Sequence, residues 1–300
     1  MSKGSDSSII IEGVGKRQRL LTGNKGFDQY FGIMSGTSTI IYVQNQTYFD
    51  PLALMINWFT NSVEKTDTLI LVTTYANPID IARWCERRLP NAFSTFVKTS
   101  REERFWWIDL FTYRGFGEHE QAKIHIGYTE HLKQLGGKPG ILIMPRKPNE
   151  LQSVEGLPAA INKITNQIHG KGNIRLLMAY VDDFVDEVGP QAALTYLRRL
   201  INLMRKFGHT LILHTTWRGS TPEFHTSCER MVDQVLRWGY GNVPGQKQHS
   251  KFLQILKTTA PDEMATYLKV PYQMKDRTPT ILKRTIHPKT DRLAKSDSKT

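Results

Sequence analysis

The chain is short of cysteine. Its two, Cys85 and Cys228, stand far apart and in no Cys-x-x-Cys spacing, which argues against a disulfide framework and against a structural zinc site. It also lacks any apolar run near the roughly 20 residues that a membrane-spanning helix needs. The longest strong runs, Leu69 to Val72 and Leu176 to Val181, are strand-sized, so a transmembrane protein is excluded and no membrane partner is expected. Met1 to Ser8 is small and polar without an apolar signal core, and an intracellular, cytoplasmic protein is the expectation. Nine histidines are scattered with no His-Glu-x-x-His, and no Gly-x-Ser-x-Gly occurs. No catalytic residue, metal site or cofactor is therefore assigned.

Carboxylates are the other scarcity. Twenty-eight Asp and Glu face forty Lys and Arg, a formal net charge of +12 in 300 residues. That balance suits nucleic acid, anionic lipid or an acidic protein, and charge alone does not choose among them. Part of the excess lies in the tail, where Lys275, Arg277, Lys283, Arg284, Lys289, Arg292, Lys295 and Lys299 meet Asp276, Asp291 and Asp297. We expect a flexible basic segment over 1–19, one folded domain over 20–278 and a flexible basic tail over 279–300.

Within the domain, apolar strand-like runs alternate with helical patterns. Thr39 to Val43 reads as a strand, and Asp50-Pro51 opens a helix with an N-cap and a proline in the first turn. Thr68 to Thr74 is a strand and Pro78 to Leu89 a helix. Arg104 to Leu110 is a strand, Leu157 to Ile168 a helix, and Ile174 to Asp182 a buried strand. Pro190 to Phe207 is a long helix and Thr210 to Thr215 another strand. Strands apolar throughout and separated by helices predict a mainly parallel sheet flanked by helices, hence α/β in three layers. Met231 to Arg237 and Lys251 to Lys257, joined by a Gly- and Pro-rich stretch, predict an antiparallel hairpin at the C-terminal end.

The order of these pieces resembles the RecA-like P-loop ATPases, in particular the KaiC-like branch with the archaeal RecA/RadA paralogues. The resemblance spans about residues 20 to 275. It rests on Leu21-Thr22-Gly23 with Gly26-Phe27-Asp28, on Tyr30-Phe31-Gly32, on Ser35-Gly36-Thr37 before the first core strand, and on the strand ending in Asp182. Gly208-His209-Thr210 and Met231-Val232-Asp233-Gln234-Val235 complete it. The resemblance implies a three-layer RecA-like core and members that assemble, as a homo-oligomer or as a hetero-oligomer with a related active ATPase.

A phosphate loop needs glycines whose amides wrap phosphates, a lysine for the β- and γ-oxygens and a Ser or Thr for magnesium. At that place stands Gln44-Asn45-Gln46-Thr47-Tyr48-Phe49-Asp50, without one Gly or Lys. Asp50 puts a carboxylate where the helix dipole would otherwise hold a phosphate. Gly13-Val14-Gly15-Lys16 is a decoy, with Ile10 where the first glycine belongs and Arg17 where Ser or Thr belongs. Where the resemblance implies a water-activating Glu, Thr73-Thr74-Tyr75-Ala76-Asn77 occurs, and none of these is a base at ordinary pH. Asp182 and Asp183 remain as candidate magnesium ligands, although with no phosphate to bridge they read better as residues that satisfy a strand-end loop. We read the chain as a degenerate, catalytically silent member with a regulatory or assembly role. The alternative is an NTPase or nucleotide sensor built on Asp182 and a cation from another subunit.

Nucleic-acid binding, DNA in particular, has its own candidates. Tyr113-Arg114-Gly115-Phe116-Gly117 and Thr216-Trp217-Arg218-Gly219 follow strands, where open α/β sheets build sites. Aromatics beside Arg stack on bases and pair phosphates, so Arg114, Phe116, Trp217 and Arg218 are the tentative contacts. Aromatic cover for a sheet edge is the plainer account of the same residues.

Overall fold

Short runs of aliphatic and β-branched residues, buried on both faces, form the strands at the centre of this protein. The computed structural model describes residues 9–11, 14–17, 19–23, 28, 31–44, 49–111, 119–120, 122–123, 126–127, 130–131, 140–143, 159, 161, 164, 172–216, 221–258, 269–275 and 278–282. In chain order the elements are β1 (Ile9–Ile11), β2 (Val14–Arg17), β3 (Arg19–Leu20), β4 (Ile33–Met34), β5 (Ser38–Val43), α1 (Phe49–Thr60), β6 (Thr68–Thr73), α2 (Pro78–Arg88), α3 (Pro90–Arg101), β7 (Phe105–Asp109) and β8 (Gly140–Ile143). Then come β9 (Ile174–Ala179), α4 (Val181–Val188), α5 (Pro190–Lys206), β10 (Thr210–Thr216), α6 (Pro222–Met231), β11 (Gln234–Gly241), β12 (Ser250–Lys257), β13 (Lys269–Lys275) and β14 (Thr278–Ile281).

One ten-stranded sheet has the order β14-β13-β12-β11-β5-β10-β9-β6-β7-β8. From β11 to β8 every neighbouring pair is parallel, and β11 to β14 pair antiparallel. Alternating side chains feed two cores. Ile41, Val43, Leu69 and Leu71 face α1, α2 and α3, while Ile40, Tyr42, Ile70 and Val72 face α4, α5 and α6. The first core is anchored by aromatics: Phe96 of α3 stacks on Phe105 at 4.8 Å and meets the Trp107 ring edge-on at 6.1 Å. Each such ring, fully buried, contributes about 1.5–3 kcal/mol. Trp106 points to the opposite face and is partly buried against the second core.

The motifs behind the resemblance have visible jobs. The backbone N–H and the hydroxyl of Thr22 both donate to Asp28 Oδ1, at 2.7 and 2.9 Å, bracing the turn that leads into the domain. Gly36, at φ 71°, lies so close to Gly208 O that an added Cβ would sit 3.0 Å from it, and its N–H donates to Thr210 Oγ1 at 2.9 Å. Asp233 accepts from the Ser38 N–H and hydroxyl at 2.8 and 2.7 Å, tying β11 to the start of β5.

Several boundaries depart from expectation. The strand expected to run to Asp182 stops at Ala179, and Asp182 and Asp183 lie in the first turn of α4. Asp186 and Glu187 are inside α4, and Gly189 heads α5. The first helix begins at Phe49, so Asp50 is within it. Met231 ends α6 and does not begin a strand. Proline at the first turn starts α3 and α6, helices hidden in sequence by their many Ser and Thr residues. The expected hairpin β11–β12 grows by two more antiparallel strands, the last crossing residue 278. Within 1–19, β1 and β2 form a small hairpin, so Gly15-Lys16 lies inside a strand and not before a helix.

Candidate functional site

Parallel strands end together, and the carboxyl ends of β11, β5, β10, β9 and β6 line one edge of the sheet, with β7 beside them. This is where open α/β sheets place their chemistry. Register sets the neighbours: Thr216 lies beside Val43, Leu213 beside Met178, and Thr73 beside Ala179.

At the end of β5 the chain is clipped to β11. The Gln44 N–H donates to Trp238 O at 2.6 Å, and the Gln44 side-chain oxygen accepts from Arg237 Nε at 3.1 Å and from Nη2. Arg237 is half-buried, and burial lowers its pKa from the ordinary value. Asn45, Gln46 and Thr47 lie outside the described residues, and Asp50 is described only as part of the α1 backbone.

At the end of β6, the Thr74 hydroxyl donates to the carbonyls of Ala179 and Tyr180, both at 2.7 Å. Asn77, in the stretch where a catalytic acid was sought, is the N-cap of α2. Its Oδ1 accepts from the Asp80 N–H at 2.9 Å, and its Nδ2 donates to the Asp80 carboxylate at 2.8 Å. Capping of this kind contributes about 1 kcal/mol.

The turn from β9 into α4 is made by Tyr180 in the left-handed region, φ 60° and ψ 64°. A non-glycine residue there carries strain of order 1–3 kcal/mol and persists only where its surroundings over-determine it. Here they do. The Tyr180 ring lies between Tyr75, with centroids 4.0 Å apart, and His214, edge-on at 4.3 Å. Its N–H donates to His214 Nδ1 at 3.3 Å. That bond assigns the imidazole proton to Nε2, which is buried with no hydrogen-bond partner among the described residues. Burial holds His214 down at about 3, so it is neutral at physiological pH. Burial also raises the Tyr75 hydroxyl well above its ordinary value.

The same turn points Asp182 back at β10. Its Oδ1 accepts from the Thr215 hydroxyl at 2.7 Å and its Oδ2 from the Thr216 N–H at 2.6 Å. Asp182 is 7% exposed. Burial raises its pKa, and the bonds from Thr215 and Thr216 pull the other way. The Asp183 N–H donates to Tyr180 O at 3.3 Å, closing the first turn. Among the described residues no group of three or more His, Cys, Asp or Glu could hold a metal ion.

Thus Gln44, Asp182 and Asp183 lie along one edge of the sheet. The aromatic set Tyr75, Tyr180 and His214 is new. Its only sequence signals are a histidine on an apolar strand and a tyrosine where an acid was sought. Arg114, Phe116, Trp217 and Arg218 lie outside the described residues, but the strands before them, β7 and β10, both end on this edge.

A ten-stranded sheet whose core order is β11-β5-β10-β9-β6, flanked by helices on both faces and extended antiparallel, is a RecA-like α/β fold. Among solved structures, the crystal structure of a KaiC-like protein from the hyperthermophilic archaeon Pyrococcus horikoshii shares this fold. The TM-score is 0.58 over 89% of this chain and 100% of that one, at 14% sequence identity. Identity so low speaks for fold and not for activity. No family model and no curated protein matches the chain. Among the described residues no helix is long and apolar enough to cross a membrane.

Proposed function

We propose that this chain is a RecA/KaiC-like protein that has given up nucleotide hydrolysis and acts by binding, in assembly or regulation. DNA is the partner that its charge and its aromatic–arginine segments favour together, and an active ATPase of the same fold, or further copies of the chain, the neighbour that its fold favours. The observation that carries the proposal is the state of Asp182. In a working site this carboxylate would face a hydrated magnesium ion; here both of its oxygens are held by Thr215 and Thr216 of β10.

The residues around it fit a magnesium triphosphate no better. Between β5 and α1 the sequence offers neither glycine nor lysine, so it supplies no flexible amide cradle and no cation for the phosphates. The polar residue nearest the place of a catalytic acid, Asn77, caps a helix. DNA is favoured by the +12 charge and by two aromatic–arginine segments that follow strands ending on the same edge.

Calorimetry with ATP and magnesium tests the first half. No saturable binding tighter than about 100 μM, roughly −5.5 kcal/mol, is expected. Tighter binding that disappears in Asp182→Asn would instead make the chain a nucleotide sensor or NTPase.

A further inference from the structure

β11 is longer than its parallel neighbour. Its last pairing with β5 is Trp238 beside Val43, and it continues to Gly241. At about 3.3 Å per residue, three residues carry it roughly 10 Å past the strand ends of the core. β12 returns antiparallel from Ser250, with Gly241 opposite Ser250 and Tyr240 opposite Lys251. A hairpin therefore overhangs the carboxyl edge described above.

The overhang ends in a hydrogen-bonded turn. Val243 is 4% exposed and anchors the connection. Val243-Pro244-Gly245-Gln246 closes on itself, with the Gln246 N–H donating to Val243 O at 3.0 Å and Gly245 at φ 82°. Proline followed by a positive-φ glycine is the chemistry of a type II turn. Below the tip, the Phe252 ring lies across Gly239, where an added Cβ would stand 2.6 Å from it, so any larger residue there would push the ring aside.

Its chemistry is one-sided. From residue 234 to residue 258 the chain has no Asp or Glu, but carries Arg237, Lys247, Lys251, Lys257 and His249. At the tip Tyr240 is 48% exposed, one of few large hydrophobic side chains so placed among the described residues. It has one edge-on ring neighbour, His249, at 5.8 Å. Lys251 is its cross-strand partner on the same face, and Lys247 is exposed in the connection. Lys269 from β13 reaches across to the Asn242 carbonyl at 3.1 Å, adding a further cation beside the tip.

We infer that the β11–β12 hairpin is a single-stranded nucleic-acid contact, with Tyr240 as the stacking platform for a base and Lys247 and Lys251 pairing the flanking phosphates. An aromatic ring bordered by cations, on a stretch of sequence without Asp or Glu, is what sequence-tolerant binding of single strands uses. Position agrees. β11 and β7 are the outer members of the series β11-β5-β10-β9-β6-β7, so at about 4.8 Å per strand the carboxyl ends of these two strands stand roughly 24 Å apart. The end of β10 lies between them, on an edge long enough for an extended strand. This inference rests on the nucleic-acid half of the function proposed above.

Fluorescence anisotropy of the full chain with a labelled oligothymidylate of about 20 nucleotides, a length above the site size of a single stacking module, tests it across a salt series. Tyr240→Ala should weaken binding about tenfold with an unchanged salt slope, and Tyr240→Phe should restore it. Lys247→Ala with Lys251→Ala should flatten the slope by about 1.4, at roughly 0.7 per lost phosphate contact on a single strand. Unaltered binding in both hairpin variants, beside loss in Arg114→Ala with Arg218→Ala, would overturn the hairpin assignment and leave the nucleic-acid reading standing. A wild-type chain that binds no oligonucleotide, or that releases it as readily to polyglutamate as to unlabelled DNA, would overturn both. Circular dichroism and melting of each variant confirm that the fold is retained.

Discussion

The two edges of the sheet treat charge in opposite ways. At the amino edge carboxylates meet guanidinium groups. Asp67 and Arg175, both at most 5% exposed, pair at 2.7 Å, and Arg175 also donates to the carbonyls of Asn61 and Ser62. Asp233 pairs with Arg205 at 2.7 Å while holding Ser38. At the carboxyl edge the described hydrogen bonds run to neutral groups: Asp182 takes two threonines, Arg237 reaches an amide oxygen of Gln44, and His214 accepts one backbone N–H. The amino edge is built to hold the strand starts in place. The carboxyl edge uses the same residue types in structural hydrogen bonds between neighbouring strands and turns.

Breaking the amino edge should have the largest effect. Burial lowers the Arg175 pKa from its ordinary value, with Asp67 and Glu64 opposing that shift. Arg175→Met would leave the Asp67 carboxylate buried without its cation and two carbonyls without donors. A loss of about 3–5 kcal/mol is expected in urea unfolding; a loss under about 1 kcal/mol would show that the pair is dispensable, and the contrast between the edges with it.

How much of this is legible in the sequence depends on which interactions are local. β5, β6, β9 and β10 are apolar on both faces, and that pattern alone points to a parallel sheet. Asn77 before Pro78 carries a local cap signal, although above it enters only as a residue in the place of a catalytic acid. Register is different. His214 and Tyr75 stand 139 positions apart and both reach Tyr180 because β9 lies between β10 and β6 and because a tyrosine takes a turn usually left to glycine. The same turn hides α4, since Asp182-Asp183 after an apolar strand reads as a loop. β13 and β14 carry Pro271 and Pro279, which suppress a strand pattern although proline is tolerated toward a sheet's margin.

Acid should probe both edges through their histidines. Burial holds His214 at about 3 and His209, at the amino edge, at about 4, against an ordinary 6.5. The unfolded chain therefore binds these protons first. Stability is intact above about pH 6.5 and falls as the pH drops toward the folded values, by about 1.4 kcal/mol per unit for each imidazole. His214→Asn keeps an acceptor near the Tyr180 N–H and removes one titration, so its urea midpoint should fall less steeply between pH 6.5 and 5 than that of the parent chain. Equal slopes would mean that water reaches His214, and that the aromatic set around Tyr180 is open.

The smallest effect sharpens the comparison most. Asp182 carries a folded pKa raised by burial, so its contribution is favourable at low pH and is lost as the pH rises through that value, opposite in sign to the histidines. Asp182→Asn removes this cost and keeps the geometry: the amide oxygen accepts from the Thr216 N–H, and the amide nitrogen donates to the Thr215 hydroxyl. The variant should lie within about 1 kcal/mol of the parent at pH 7, with the difference moving in favour of Asn as pH rises from 4 to 8. Asp182→Ala, which strands both donors, should cost about 1–3 kcal/mol. Asp67→Asn at the other edge has no such escape, because an amide cannot neutralise Arg175. If Asp182→Asn proves as damaging as Asp67→Asn, the charge of Asp182 has a counter-ion in the working protein, and the carboxyl edge is not the neutral surface described here.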